Sequence, residues 1–310
     1  MATEQAVGEA RLPEAPYAFR PAKRIQRLMF CDALRSLRLL RPLEDYQYVG
    51  FGHWQFVDFE LMRREVGVRE MVSIERNTNA KDRFVENAPF EDIRLLFDTA
   101  SECLRGDEID LARPTIAWLD YTSKLDSGAI QDLRLLVEEI PVGSVVAATF
   151  NCHPDREDRR IEALERTVGE VPGDISEDDL GKEGLPRVQR RILVEGLEGA
   201  AAGRQDSATI EQFMFLRYED RSPMAFWAGL VADESEEIAV AMETLRRHEQ
   251  FRGGEEFFDI SVPQLSTREV IALNRSIQEG RPPEIRGVPK DQCEAYGRLH
   301  RWYPSVPLPL

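Results

Sequence analysis

Residues 46–59, Tyr46-Gln47-Tyr48-Val49-Gly50-Phe51-Gly52-His53-Trp54-Gln55-Phe56-Val57-Asp58-Phe59, carry an apolar strand into a glycine pair and then directly into a helical pattern. A second short strand, Met71-Val72-Ser73-Ile74, ends on Glu75, 25 residues after Gly50. A third, Thr115-Ile116-Ala117-Trp118-Leu119, ends on Asp120. Strand, glycine turn, helix, and a strand closing on an acid form the pattern of a nucleotide-type cofactor cradle. Glycines let the backbone approach a ligand closely, and a carboxylate at the next strand's end can accept hydrogen bonds from ribose hydroxyls. Two plainer readings stand beside this one. A glycine pair after a strand also makes a tight turn, and Glu75 can pair with Arg76 or Lys81 on the surface.

The same alternation continues outward from this stretch. Strands are expected at 46–50, 70–75, 114–120 and 144–150, with a short, weak one at 82–87. Helices are expected at 53–66, 90–105 and 126–139. Apolar strands separated by crossover helices imply a parallel sheet covered on both faces. Beyond 153 the alternation breaks. Residues 154–207 are charged and helical in pattern, and 210–218 with 224–232 read as a hairpin. The expected fold is therefore α/β and doubly wound: a mostly parallel seven-stranded sheet with a C-terminal antiparallel hairpin and a helical insertion. The expected segments are a disordered leader (1–21), a basic amphipathic helix (22–45), a Rossmann-like domain (46–153 and 208–280), a helical cap (154–207) and an extended tail (281–310).

Composition narrows the class. The 310 residues are 42% hydrophobic and 31% charged, the balance of a globular protein with a well-charged surface. No apolar run approaches the roughly 18 residues that would span a bilayer, so no membrane partner is expected. The acidic N-terminus lacks an apolar signal region, and the expected location is the cytoplasm. Four scattered cysteines (Cys31, Cys103, Cys152, Cys293) show no ligand spacing, and no metal site is expected. The net charge of −16 opposes binding to duplex nucleic acid. Between Arg20 and Arg41, however, seven basic residues stand against one acid, Asp32. At helical spacing Lys23, Arg24 and Arg27 share a face opposite Ile25, Leu28 and Met29. That face either is solvated or meets an anionic substrate, with Lys124 as a further basic contact.

Five strand–helix units followed by an antiparallel hairpin resemble the class I S-adenosylmethionine-dependent methyltransferases. The resemblance covers roughly 46–151 and 209–232 and rests on strand order more than on invariant motifs. It implies S-adenosylmethionine as cofactor. Gly50, Phe51 and Gly52 match that family's first glycine-rich turn, and Glu75 matches the acid that holds the ribose. Glu86 and Asn87, after the expected third strand, match the region flanking adenine. Asp120 and Tyr121 match the loop after the fourth strand, beside the transferred methyl group, and His53 is the one histidine placed for chemistry. Asp120 can instead cap a helix or pair with Lys124.

The resemblance implies methyl transfer to an anionic small molecule or nucleotide-type substrate, with Asp120, Tyr121 and His53 orienting or deprotonating it. Tyr48 stands where family members usually carry an acid, and the Asn-Pro-Pro-Tyr type of motif is absent after the fourth strand. Those departures define the alternative, a non-catalytic sensor or interaction module that binds a nucleotide-like ligand and a partner protein.

Overall fold

The computed structural model describes residues 20–219 and 221–303. The expected leader, apart from Arg20 and Pro21, and the tail beyond Tyr303 lie outside the described residues. Eight strands make one sheet in the order β3-β2-β1-β4-β5-β7-β6-β8. They are β1 (Gln47–Gly50), β2 (Glu70–Ile74), β3 (Ile93–Leu96), β4 (Thr115–Lys124), β5 (Val145–Asn151), β6 (Thr209–Glu219), β7 (Pro223–Ala232) and β8 (Phe258–Ile260). β1 to β5 pair in parallel, β7 runs antiparallel between β5 and β6, and β8 adds a parallel edge beside β6. The expected order holds, with one strand more than the seven read from the sequence.

Central strands explain themselves. Val145 to Phe150 are buried on both faces, so β5 reads as a continuous apolar run rather than an alternation. Helices α1 (Pro21–Leu34), α2 (Val57–Leu61) and α8 (Glu236–Arg246) cover one face, while α4 (Ala100–Arg105), α5 (Ser127–Glu139) and α7 (Leu185–Ala202) cover the other. Leu193 and Leu197 place α7 in the core under the second face, while Leu164 of α6 (Arg160–Val168) and Leu180 form a separate small cluster with Leu185 and Val188 at the start of α7.

Three expectations are corrected. Residues 81–87 form helix α3 (Lys81–Asn87), and the third strand lies within the segment expected to be helical. Phe84 alone of α3 is buried, which suits a short amphipathic turn of helix packed by one side chain. The segment expected as an extended tail contains α10 (Lys290–Leu299), which closes a small cluster of Leu273, Cys293 and Tyr296 against α9 (Thr267–Gln278). Lastly, the basic face of the first helix is not a solvated face. Lys23 and Arg27 are buried along with Ile25, Met29, Phe30 and Leu34, and only Arg24 of the three expected substrate contacts on this helix is exposed. Phe30 packs edge-on to Trp118 and Phe226, with ring centroids 5.5 and 5.0 Å away, which seats α1 directly on the sheet.

Candidate functional site

The glycine turn leaves the carboxyl end of β1, where open α/β sheets bind ligands. A Cβ on Gly50 would lie 2.6 Å from the Tyr48 hydroxyl and 3.0 Å from the Trp118 carbonyl oxygen, so only glycine fits. A Cβ on Gly52 would meet Ser73 Oγ at 2.4 Å and Glu75 Oε1 at 2.9 Å. The tyrosine that stands in place of an acid thus folds its ring along the strand over Gly50, edge-on to Phe59 at 4.9 Å. Beyond the glycines, His53 and Phe56 adopt left-handed φ values of 47° and 48°. Such conformations cost on the order of 1–3 kcal/mol each in a non-glycine residue and collect at functional sites. Buried Phe56 stays there because its ring is wedged against Phe59 and Phe84.

Glu75 caps β2 and is only 7% exposed. Its carboxyl accepts from Ser73 Oγ at 3.1 Å and from the backbone N–H groups of Gly52 and His53. Burial pushes its pKa up to about 7, with those three donors pulling the other way. Its backbone N–H donates to the Leu96 carbonyl at 2.8 Å, which ties the end of β2 to β3. The plainer alternative, a surface pairing of Glu75 with Arg76 or Lys81, is not what surrounds this carboxyl.

On the same face, two buried ion pairs join α1 to the rest of the site. Arg27 Nε donates to Asp58 Oδ1 at 2.5 Å, and Lys23 Nζ donates to Asp120 Oδ1 at 2.6 Å. Lys23 Nζ also sits 4.7 Å from the centroid of Trp118 and 5.5 Å from that of Tyr218. Burial holds the Lys23 ammonium below its ordinary pKa, against the opposing pull of Asp120. Burial likewise lowers His53, whose imidazole feels the charges of Asp58, Arg27, Arg20 and Asp120. His53, Asp120 and the turn therefore share one electrostatic environment.

Other expected residues fall elsewhere. Tyr121 follows Asp120 in a strand and so points to the opposite face. There its hydroxyl donates to Asp132 Oδ2 at 3.1 Å, and its ring packs edge-on to Phe51 at 5.2 Å. Burial, then Asp132, raises its pKa and keeps it protonated. Lys124 pairs with Asp155, at the start of the insertion. Glu86 and Asn87 are exposed on α3, not at a strand end. The carboxyl end of β3 instead carries Phe97, Asp98 and Thr99, which the sequence reading missed. Thr99 accepts from the Glu102 N–H as the N-cap of α4. The Thr99-x-x-Glu102 capping pattern was the available signal that a helix begins at 100 and that 93–96 lies outside it.

Among the described residues no group of three or more His, Cys, Asp or Glu is arranged to hold a metal ion, and no helix is long and apolar enough to cross a membrane. All four cysteines are buried thiols.

No curated protein matches the chain. Among solved structures it is similar to the O-methyltransferase TomG from Streptomyces achromogenes, involved in tomaymycin synthesis and solved with S-adenosylmethionine. Identity is 17% over 72% of this chain and 92% of that one, with a TM-score of 0.35. It is also similar to the Methanococcus jannaschii fibrillarin pre-rRNA processing protein, at 10% identity over 62% of this chain and 70% of that one, with a TM-score of 0.36. A family model described as "Putative O-methyltransferase" matches residues 15–306, nearly the whole chain, and the protein belongs to that methyltransferase family.

Proposed function

We propose that this protein transfers a methyl group from S-adenosylmethionine to an oxygen acceptor. The observation that carries the proposal is Glu75: a buried carboxyl at the end of β2, facing the turn after β1 and accepting from its amides. The donor set fits the cofactor. Glu75 can exchange its bonds to Ser73 and the turn for bonds to two ribose hydroxyls, and the freed Gly52 and His53 amides remain as donors. Phe97, Asp98 and Thr99 would flank the adenine. When bound, the cofactor supplies a methyl group whose bond to a positively charged sulfur breaks with the electron pair staying on sulfur.

The chain's own residues position the acceptor and manage its proton. Asp120 takes the proton from the acceptor hydroxyl. Lys23, paired with it at 2.6 Å, keeps the carboxylate aimed. His53 borders the same space, while Tyr121 serves the opposite face of the sheet as a brace between β4 and α5. Of the four cations expected to meet an anionic substrate, Lys23 pairs with Asp120, Arg27 with Asp58 and Lys124 with Asp155, while Arg24 is exposed.

Titration calorimetry with S-adenosylhomocysteine tests the reading. Binding is expected in the wild type, and weakening by about 10–100-fold in Glu75→Ala, the loss of two charge-assisted hydrogen bonds. No binding by the wild type, together with no effect of Glu75→Ala, would overturn it and favour the interaction module.

A further inference from the structure

A cavity of about 450 Å³ opens at the carboxyl edge of β5, β6 and β8, on the far side of Asp120 from the glycine turn. That size suits a small molecule. Pro154, Pro223, Ile260, Val262 and Tyr218 give it apolar walls. Its charged lining is Lys182 and Arg217 against Glu183, Glu219 and Asp259. The Arg217 guanidinium is already committed: Nε donates to Asp259 at 2.7 Å and Nη1 to Glu183 at 2.5 Å. With that cation spoken for by two carboxylates, negative charge is in excess, in a chain of net charge −16.

Tyr218 links the cavity to the candidate active site. It is among the residues that line the cavity, and Lys23 Nζ, 2.6 Å from Asp120, lies 5.5 Å from the centroid of its ring. Lys182 and Glu183, from the segment just before α7, also line it.

We infer that this cavity is the acceptor site and that it takes a hydroxylated amine. The apolar walls hold the body of the molecule, its hydroxyl lies at the Tyr218 end, and its ammonium meets Glu183 and Asp259. The inference rests on the methyltransferase reading for the word acceptor, and on the cavity alone for the ligand's charge.

Three phenols that differ only in their charged arm test it: tyramine (ammonium), 4-ethylphenol (neutral) and 4-hydroxyphenylacetate (carboxylate). Each is titrated into the full-length protein by calorimetry, with S-adenosylhomocysteine titrated in parallel. Tyramine is expected to bind about 10-fold tighter than 4-ethylphenol, and 4-hydroxyphenylacetate weakest, from electrostatic complementarity. Glu183→Gln and Asp259→Asn should each cut tyramine's advantage by about threefold or more. Glu183 is 67% exposed, so its variant tests the idea even if Asp259→Asn disturbs folding. Equal affinities, a reversed order, no binding of any phenol, or an advantage unchanged in Glu183→Gln overturns the inference. If S-adenosylhomocysteine binds while the ammonium preference is absent, the cavity assignment alone falls. If the preference is present without S-adenosylhomocysteine binding, the amine site stands and the methyltransferase reading falls.

Discussion

The glycine-turn side of the sheet and the β5–β6–β8 edge handle charge in opposite ways. Beside the turn, Lys23, Arg27, Asp58 and Glu75 are sealed from water, and Asp120 nearly so. Each is matched at short range within the fold. At the far edge, Arg217, Glu183 and Asp259 keep contact with solvent. Sealed charges fix geometry, because leaving one unmatched is costly in a poorly polarisable interior. Solvated charges contribute little to stability and stay available to a ligand. One region holds a shape; the other offers a choice.

The sharpest way to break that contrast is Asp58→Asn, which takes the negative charge from beside the Arg27 guanidinium, itself only 1% exposed. It should cost about 3–5 kcal/mol in denaturant unfolding, while Arg27→Met with Asp58→Leu recovers most of the loss. A cost near zero would mean the pair is not sealed in solution.

Next comes pH. Burial raises the Glu75 carboxyl to about 7 in the folded chain, above the ordinary carboxylate range of the unfolded one. The stability associated with its protonated form is full below the unfolded pKa and is lost as pH rises through about 7. Between pH 4.5 and 8 the wild type should lose on the order of 3 kcal/mol relative to Glu75→Gln, whose amide does not titrate. Parallel melting curves of the two proteins read this out. Affinity for S-adenosylhomocysteine should move the other way, rising through the same window, because ribose hydroxyls need the ionised acceptor.

Gly52→Ala forces a methyl group to within 2.4 Å of Ser73 Oγ. A destabilisation of about 1–3 kcal/mol is expected from overpacking, with impaired S-adenosylhomocysteine binding on calorimetry. At the open edge, Glu183→Gln should shift unfolding by less than about 1 kcal/mol. A large effect there would erase the distinction between the two regions.

Much of the sheet was legible because its strands are either apolar throughout or end on acids. β1, β2, β4, β5 and the hairpin all lie where the pattern places them. β3 was lost because Ile93, Leu96, Phe97 and Leu104 also satisfy a helical period, and only the Thr99 cap separates them. The fate of Lys23 and Arg27 was less accessible. Periodicity assigns residues to a common face, but not whether that face meets water or acids at positions 58 and 120, far along the chain. Pairing Asp120 with Tyr121 was avoidable, since neighbours in a strand project to opposite sides.

The seating of α1 has a consequence for how the molecule is made. Gln250 Nε2 donates to the Met29 carbonyl at 3.1 Å, and Ser36 Oγ lies 3.0 Å from His248 Nε2. One wall of the candidate site therefore begins with the first described helix and is completed only by a segment more than 200 residues later. At ribosomal rates of roughly 5–20 residues per second, the start of the chain waits on the order of 10–50 seconds for these two partners. Its buried face, charged and apolar alike, must be shielded over that interval. A chain cut short before His248 lacks both of these contacts to its first described segment.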